Sequence, residues 1–227
     1  MPYWYPIAGW MAFPHLDCSE GLNYSYTLTY KFTDKWGELW SSRHIRLKKG
    51  ERKAQFGSAW LLRNAIPGLL EAVGVDVNET AFLAALSSGE TEANPNRLIP
   101  CIADRLAQRF GAKSEIGSLR KNAHRQLHSV GGASNRDAEL EKAEYVSGKI
   151  GAKHVFVFDD FITRGATLSK IAGAILRENP SCSVYGLALA KTERKQYSPY
   201  ATNNHVPKEW DDFWQEGEQK ATGVKKG

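Results

Sequence analysis

The chain is short of cysteine, of long apolar runs and of internal repeats, and each shortage closes off a class of protein. Cys18, Cys101 and Cys182 are the only cysteines, far apart and without a CxxC pair. That argues against a disulfide scaffold and a cysteine-rich zinc site and leaves structural thiols. No stretch approaches the about 20 apolar residues of a membrane helix. The opening residues, MPYWYPIAGWMAF, carry neither a basic leader nor an apolar core with a small-residue cleavage site, so no signal peptide is expected and a cytoplasmic location follows. Charge of one sign is in small excess: a formal net charge of +5 admits anionic ligands from phosphorylated metabolites to nucleic acid without choosing between them.

What is present is an ordinary globular composition, 42% hydrophobic and 24% charged over 227 residues, enough for one main core. Residues 24–32 alternate, with Tyr24, Tyr26, Leu28, Tyr30 and Phe32 on one face and Ser25, Thr27, Thr29 and Lys31 on the other, which predicts a half-buried strand. The turn-rich TDKWGE and the LWSSRHIRL after it predict a hairpin, so residues 1–50 read as a β-rich N-terminal extension. From 54 to 73 the apolar spacing becomes helical, with Pro67 expected to kink or split the element. Strand, loop and helix then repeat: a strand over 81–86, the loop SSGETEAN, and a helix over 98–110 ended by Gly111. A basic stretch over 119–136 reads as a long mobile loop, and 136–150 as a helix capped by Ser134 or Asn135. A strand at 155–158, a helix over 167–178 and a strand over 183–190 complete an α/β pattern with a mainly parallel sheet. The main domain is expected over 51–216, and 217–227 as a flexible tail.

The chemistry concentrates in KHVFVFDDFITRGATLSKI, residues 153–171. Four consecutive apolar residues suit a central parallel strand covered on both faces. Asp159 and Asp160 then fall at its carboxyl end, where open α/β sheets bind ligands. Thr163, Gly165 and Thr167 follow, just before a helix. Glycine lets the backbone fold tightly, hydroxyls donate hydrogen bonds, and the helix N-terminus attracts an anion, so this loop is a cup for one phosphate. The carboxylates would repel that phosphate and must face hydroxyls or a metal. A phosphate close to a diol is a ribose 5-phosphate.

At these residues the chain resembles the type I phosphoribosyltransferases. VFVFDDFITRGAT looks like the family's signature for 5-phosphoribosyl diphosphate (PRPP). LRKNAHRQLHSVGGASNRDAELEKAEY before it and VYGLALAKT after it resemble the ComF-like branch, without that branch's zinc ribbon. The similarity covers roughly 80–190, and Arg164 stands where many members have a second Thr or Ser. The resemblance implies the type I phosphoribosyltransferase fold and transfer of a phosphoribosyl group from PRPP to a nitrogenous acceptor, with Mg²⁺ and release of pyrophosphate. It implies that Asp159 and Asp160 hold the ribose hydroxyls, directly or through Mg²⁺, and that Thr163, Arg164, Gly165, Ala166 and Thr167 wrap the 5-phosphate. Ser87, Ser88 and Gly89 match the position of the pyrophosphate loop. Arg120 and Lys121, with Arg125, match a flexible loop whose cations neutralise the leaving group.

Other readings stand beside this one. An apolar strand followed by two acids is, alone, a sheet end with two solvated carboxylates, and basic residues in a loop are ordinarily a solvated surface. His124 and His128 are four apart but lack an acidic or cysteine partner nearby. Tyr24, Tyr26 and Tyr30 read as core before they read as a base-stacking platform. EWDDFWQ, 209–215, reads as a helix covering the sheet, with a hood over the acceptor as the alternative. A GxGxxG dinucleotide loop is absent, and Phe161 stands where an aspartate-nucleophile phosphatase needs its second acid. The rival to an enzyme is a PRPP- or nucleotide-sensing regulator, or a nucleic-acid-linked protein of DNA uptake or defence. The resemblance leaves a homodimer open, and nothing implies a membrane.

Overall fold

The computed structural model describes residues 4–14, 16, 20–35, 37–125 and 131–223, so Cys18 and His128 lie outside the described residues. In chain order the strands are β1 (Tyr5–Ile7), β2 (Trp10–Phe13), β3 (Leu22–Phe32), β4 (Thr80–Ala84), β5 (Lys113–Ser114), β6 (Leu119–Arg120), β7 (Val146–Ser147), β8 (His154–Ile162) and β9 (Ser183–Glu193). The helices are α1 (Leu39–Lys48), α2 (Arg52–Val73), α3 (Leu98–Phe110), α4 (Ala133–Glu141), α5 (Ala166–Glu178) and α6 (Lys208–Gly223). Seven strands form one sheet in the order β1-β2-β3-β9-β8-β4-β5; β6 and β7 form a separate antiparallel pair. The five strands from β3 to β5 are mutually parallel, and β1 and β2 add an antiparallel edge.

The apolar run of β8 is explained by cover on both faces. Phe156 and Phe158 join Phe82, Leu187 and Leu189 in one core with Leu61, Leu62 and Trp214 of the long helices. Val155 and Val157 join Leu83 and Val184 in a second core with Leu168, Ile171 and Ile175 of α5. Along β8 the phenylalanines fill one layer and the valines the other, giving a three-layer α/β fold. Where α6 crosses α2, Gly217 and Gly57 let the backbones meet. A Cβ on Gly217 would stand 2.6 Å from the Phe56 carbonyl oxygen, and one on Gly57 would stand 2.8 Å from the Trp214 ring.

Several expectations change. LWSSRHIRL is not a hairpin strand but most of α1: Glu38 caps it by accepting from the Ser41 N–H at 2.6 Å, and Trp40, His44 and Leu47 are buried at helical spacing. β3 is buried on both faces rather than half-buried, because it pairs in parallel with β9 inside the sheet; Ser25, Thr27, Thr29 and Lys31 are all at most 8% exposed. Its rings also divide, Tyr24, Tyr26 and Leu28 packing in one core and Tyr30 and Phe32 in the other. Pro67 does not split α2, since it sits on the exposed side, where the carbonyl it leaves unpaired meets water.

Residues 136–150 are not one helix. The helix α4 begins at Ala133, so Ser134 and Asn135 lie within it, and Glu144, at φ +46°, turns the chain into β7. Within the expected loop 119–136, residues 119–120 pair with β7 and the helix covers 133–136. Residues 217–223, expected as a flexible tail, continue α6. By contrast the Gly111 stop of α3, left-handed at φ +74°, and the segments β8, α5 and β9 follow the sequence pattern. No described helix is long and apolar enough to cross a membrane.

Candidate functional site

The sheet order locates a crevice before any side chain is considered. After β4 the chain passes through α3 to β5 on one side, and after β8 it passes through α5 to β9 on the other. β4 and β8 are neighbours whose connections run in opposite directions, and ligands of open α/β sheets bind outside the carboxyl ends of such strands. The SSGE loop leaves β4 there and the acid pair leaves β8 there.

Asp159 and Asp160 are partly buried, and each is turned toward a neighbouring backbone N–H. Asp159 Oδ1 accepts from the Asp160 N–H at 2.8 Å, and Asp160 Oδ1 from the Phe161 N–H at 2.7 Å. Neither has a cationic partner within 4 Å among the described residues. Burial first, and then the adjacent Asp160 carboxylate, hold the Asp159 carboxyl well above the usual carboxylate range. A group in that condition gains from a cation or from hydroxyl donors. Asp159 faces three contiguous recesses, one toward α5, one toward the SSGE loop and one toward β3 and β9.

The recess toward α5 is the expected phosphate cup. Thr163, Arg164, Gly165, Ala166 and Thr167 line it. Gly165 has φ +90°, and a Cβ there would stand 3.0 Å from the Leu16 carbonyl oxygen, so this position needs glycine for both conformation and room. Among the described residues no side chain caps α5, which leaves its first N–H groups open to an anion. Arg164 is drawn sideways into an ion pair with Asp137 of α4 at 2.5 Å, tying α4 to the cup.

The SSGE loop is held by its own network. Glu90 accepts from the Ser87 N–H at 2.7 Å and pairs with Arg97 at 3.0 Å, while Arg97 donates to the Ser87 hydroxyl at 2.6 Å. Lys121 Nζ donates to the Ser88 carbonyl at 2.9 Å, and the His124 N–H donates to the same oxygen at 2.9 Å. Ser87 and Ser88 reach recesses that contain Asp159, whereas Gly89 lines none of the three. Burial pushes the Lys121 ammonium down to about 8, with Glu90 opposing. Arg120 is exposed on β6, pairs through its backbone with Glu92 in an isolated antiparallel β-bridge and lines none of the three recesses; Arg125 is likewise exposed.

Three residues of this crevice escape a reading along the chain. Lys31, 8% exposed, and Lys48 line the recess of about 490 Å³ toward β3 and β9 together with both acids. Tyr145 lines the same recess; it is 4% exposed and its hydroxyl has no hydrogen-bond partner among the described residues. Burial, then the Asp159 carboxylate, raise its phenol. Lys31 sits in the polar half of an alternating strand and Tyr145 in a stretch that reads as helix, so only the sheet order brings them to the acids.

The chain matches no protein-family model, and no curated protein shows significant similarity to it. The residues fit Mg²⁺ in one manner only. Among the described residues no group of three or more His, Cys, Asp or Glu could cage a metal, but Mg²⁺ is commonly held by one or two carboxylates together with a ligand's phosphates and water. Asp159 and Asp160 supply that pair.

Proposed function

We propose that this protein binds PRPP and transfers its 5-phosphoribosyl group to a nitrogenous acceptor, releasing pyrophosphate, as a type I phosphoribosyltransferase. The observation that carries the reading is the meeting, at one topological switch point, of a carboxylate pair with no ion pair within 4 Å and a glycine-bearing helix N-terminus with no side-chain cap, both among the described residues. The first wants a diol or a metal, the second a phosphate, and Asp159 and Thr167 border one recess.

In this reading the N–H groups opening α5 and the Thr163 and Thr167 hydroxyls hold the 5-phosphate. Asp159 and Asp160 accept hydrogen bonds from the ribose 2- and 3-hydroxyls. Ser87 and Ser88 face the diphosphate, and Lys121 fixes the backbone of that loop through the Ser88 carbonyl. Asp159 and Asp160 would hold Mg²⁺, which when bound would supply charge neutralisation on the leaving group. Negative charge grows on that group as the anomeric bond breaks, so preorganised donors bind it more tightly in the transition state than before.

A non-catalytic PRPP sensor of the same fold is favoured by one observation. Lys121 and Arg164 are already engaged, with Ser88 and Asp137 respectively, rather than free for a ligand. The test is thermal unfolding with Mg²⁺ and PRPP, followed by pyrophosphate release with a panel of acceptors. Saturation at about 100 times the dissociation constant should stabilise by roughly 2.7 kcal/mol. Absence of any shift removes the reading; a shift without pyrophosphate release selects the sensor.

A further inference from the structure

If the acid pair holds the ribose of PRPP, the remaining recess has its own chemistry. The strands run β3-β9-β8-β4, with the SSGE loop at the end of β4, the acids on β8 and Lys31 on β3. Displacement at a carbon brings the incoming atom to the side opposite the departing one. A leaving diphosphate at the β4 end therefore places the acceptor toward β9 and β3, in the Lys31 and Thr192 part of a recess that Lys48, Ser88, Thr163 and Thr167 also line.

Lys31 is an unusual wall for that recess. More than nine-tenths of the residue is buried, and its ammonium lies 5.1 Å from the centroid of the Phe161 ring. Yet it makes no hydrogen bond and no ion pair within 4 Å among the described residues. On β9 the residue opposite Lys31 is Thr192, and the next lysine, Lys191, in register with Tyr30, is just as buried but is paired with Glu193 at 2.8 Å. Asp160 is close enough to favour the Lys31 charge, while burial and Lys48 oppose it more strongly. A cation so placed lacks an anion, and the acid pair is committed to the sugar.

We infer that the acceptor bears a carboxylate, held by Lys31 with support from Lys48, so that the substrate class is an anionic nitrogen heterocycle rather than a neutral nucleobase. The inference rests on the phosphoribosyl reading and goes one step past it. The carboxylate neutralises Lys31, and its geometry turns the ring nitrogen toward the anomeric carbon. Bond making is to that nitrogen, bond breaking is of the carbon–oxygen bond to the diphosphate, the diphosphate leaves with the electron pair, and where the nitrogen carries a hydrogen its proton passes to the departing diphosphate or to water.

Matched acceptors test this: orotate against uracil and nicotinate against nicotinamide, with PRPP and Mg²⁺, reading pyrophosphate release, and binding of the same compounds to the ribose 5-phosphate complex. Wild type should prefer the acid of each pair by about tenfold or more, the range for a hydrogen bond to a charged group. Lys31→Met should bring that preference close to one while leaving the affinity for PRPP within a few-fold, and Lys31→Arg should retain part of it. Preference for the neutral member, equal treatment of both, or an acid preference that persists in a folded Lys31→Met would overturn the inference while PRPP binding by wild type keeps the phosphoribosyl reading intact. Should Lys31→Met fail to fold, the wild-type preference alone decides. Wild type that does not bind PRPP brings down both.

Discussion

Arg43 and Lys31 are both cations with less than 10% of their surface exposed, one between α1 and α6 and the other on the wall of the crevice. Arg43 pairs with Asp211 at 2.5 Å and lies over the rings of Trp40 and Trp214 at 4.7 and 5.3 Å. Beside it the fully buried His44 meets the Thr29 hydroxyl at 2.7 Å. Around Lys31 stand two carboxylates and a buried phenol, and among the described residues the carboxylates have no ion pair within 4 Å and the phenol has no hydrogen-bond partner. The first region gives Arg43 an ion pair and His44 a hydroxyl, leaving only Arg43 Nη1 and His44 Nδ1 without a partner among the described residues, whereas in the second no described residue bonds the Lys31 ammonium or the Tyr145 hydroxyl. Buried polarity is therefore informative only together with its partners: satisfied groups specify the fold, and unsatisfied ones at a strand end describe a ligand.

The comparison is broken most sharply by acid. Burial first, and then the charges of Lys31 and Arg43, push His44 down to about 3 from an ordinary value of 6.5. Its folded-state affinity for a proton is depressed, so its contribution is complete above pH 6.5 and is lost as pH falls toward 3. The slope is about 1.4 kcal/mol per pH unit, some 4 kcal/mol over the window. Asp159 has the opposite sign: its folded value is raised, so its contribution is complete below the ordinary 3.8 and is lost as pH rises. Denaturant unfolding of wild type and His44→Gln between pH 3 and 7 should give a flatter profile for the variant. Equal slopes would mean that another group titrates.

Next in size is Arg43→Ala. Removing one member of a buried pair costs about 3–5 kcal/mol. Asp211 is 36% exposed, and water screens what is left, so the lower end applies: about 2–3 kcal/mol, or a melting temperature lower by roughly 5–10 °C. The stabilisation by PRPP and Mg²⁺, measured from the variant's own baseline, should be unchanged. A lost ligand shift would show that the two regions are not independent.

How much of this was legible in the sequence depends on whether its cause is local. Asp159, Asp160 and the Gly165 turn could be read from one stretch because strand, acids, loop and helix are consecutive there. Gly111 was legible as a helix stop for the same reason. α1 was not, because Trp40, His44 and Leu47 match a helix only once Glu38 is recognised as its cap, and the turn-rich TDKWGE before them suggested a hairpin. Lys31 looked like the solvent half of a strand because nothing local says that β9 and α1 will cover it. Tyr145 was hidden by a charged run that reads as helix until the left-handed Glu144 ends it. The membership of the crevice is a property of strand order, and strand order is non-local.

Asp159→Asn sharpens the contrast at about 2.7 kcal/mol, the gain that Mg²⁺ and PRPP should give wild type at about 100 times the dissociation constant. The amide keeps an oxygen to accept the Asp160 N–H but loses the charge, so that gain should vanish. Without ligand, the variant should melt higher than wild type at neutral pH, because a carboxyl whose folded value is raised costs stability when ionised. Calorimetric scans with and without ligand separate the two effects. A variant that melts lower and still responds to PRPP would return Asp159 to a structural role.

The smallest effect is the most discriminating, because Tyr145→Phe removes one oxygen and almost no packing. The ring stays buried in the core with Leu119 and Leu140. What goes is a hydroxyl whose burial without a partner costs about 1–3 kcal/mol, so the unliganded variant should be as stable as wild type or up to about 1 kcal/mol more stable. If the hydroxyl instead completes a hydrogen bond to the sugar or its phosphate, affinity for ribose 5-phosphate should fall about 2- to 10-fold, the worth of one ordinary hydrogen bond. The two signs are opposite, and no packing defect produces both. Isothermal titration with ribose 5-phosphate, beside a melting curve for each protein, gives the answer. Equal affinities with a higher melting temperature would mean that the crevice ends at Asp159 and that Tyr145 carries a buried hydroxyl with no ligand to meet.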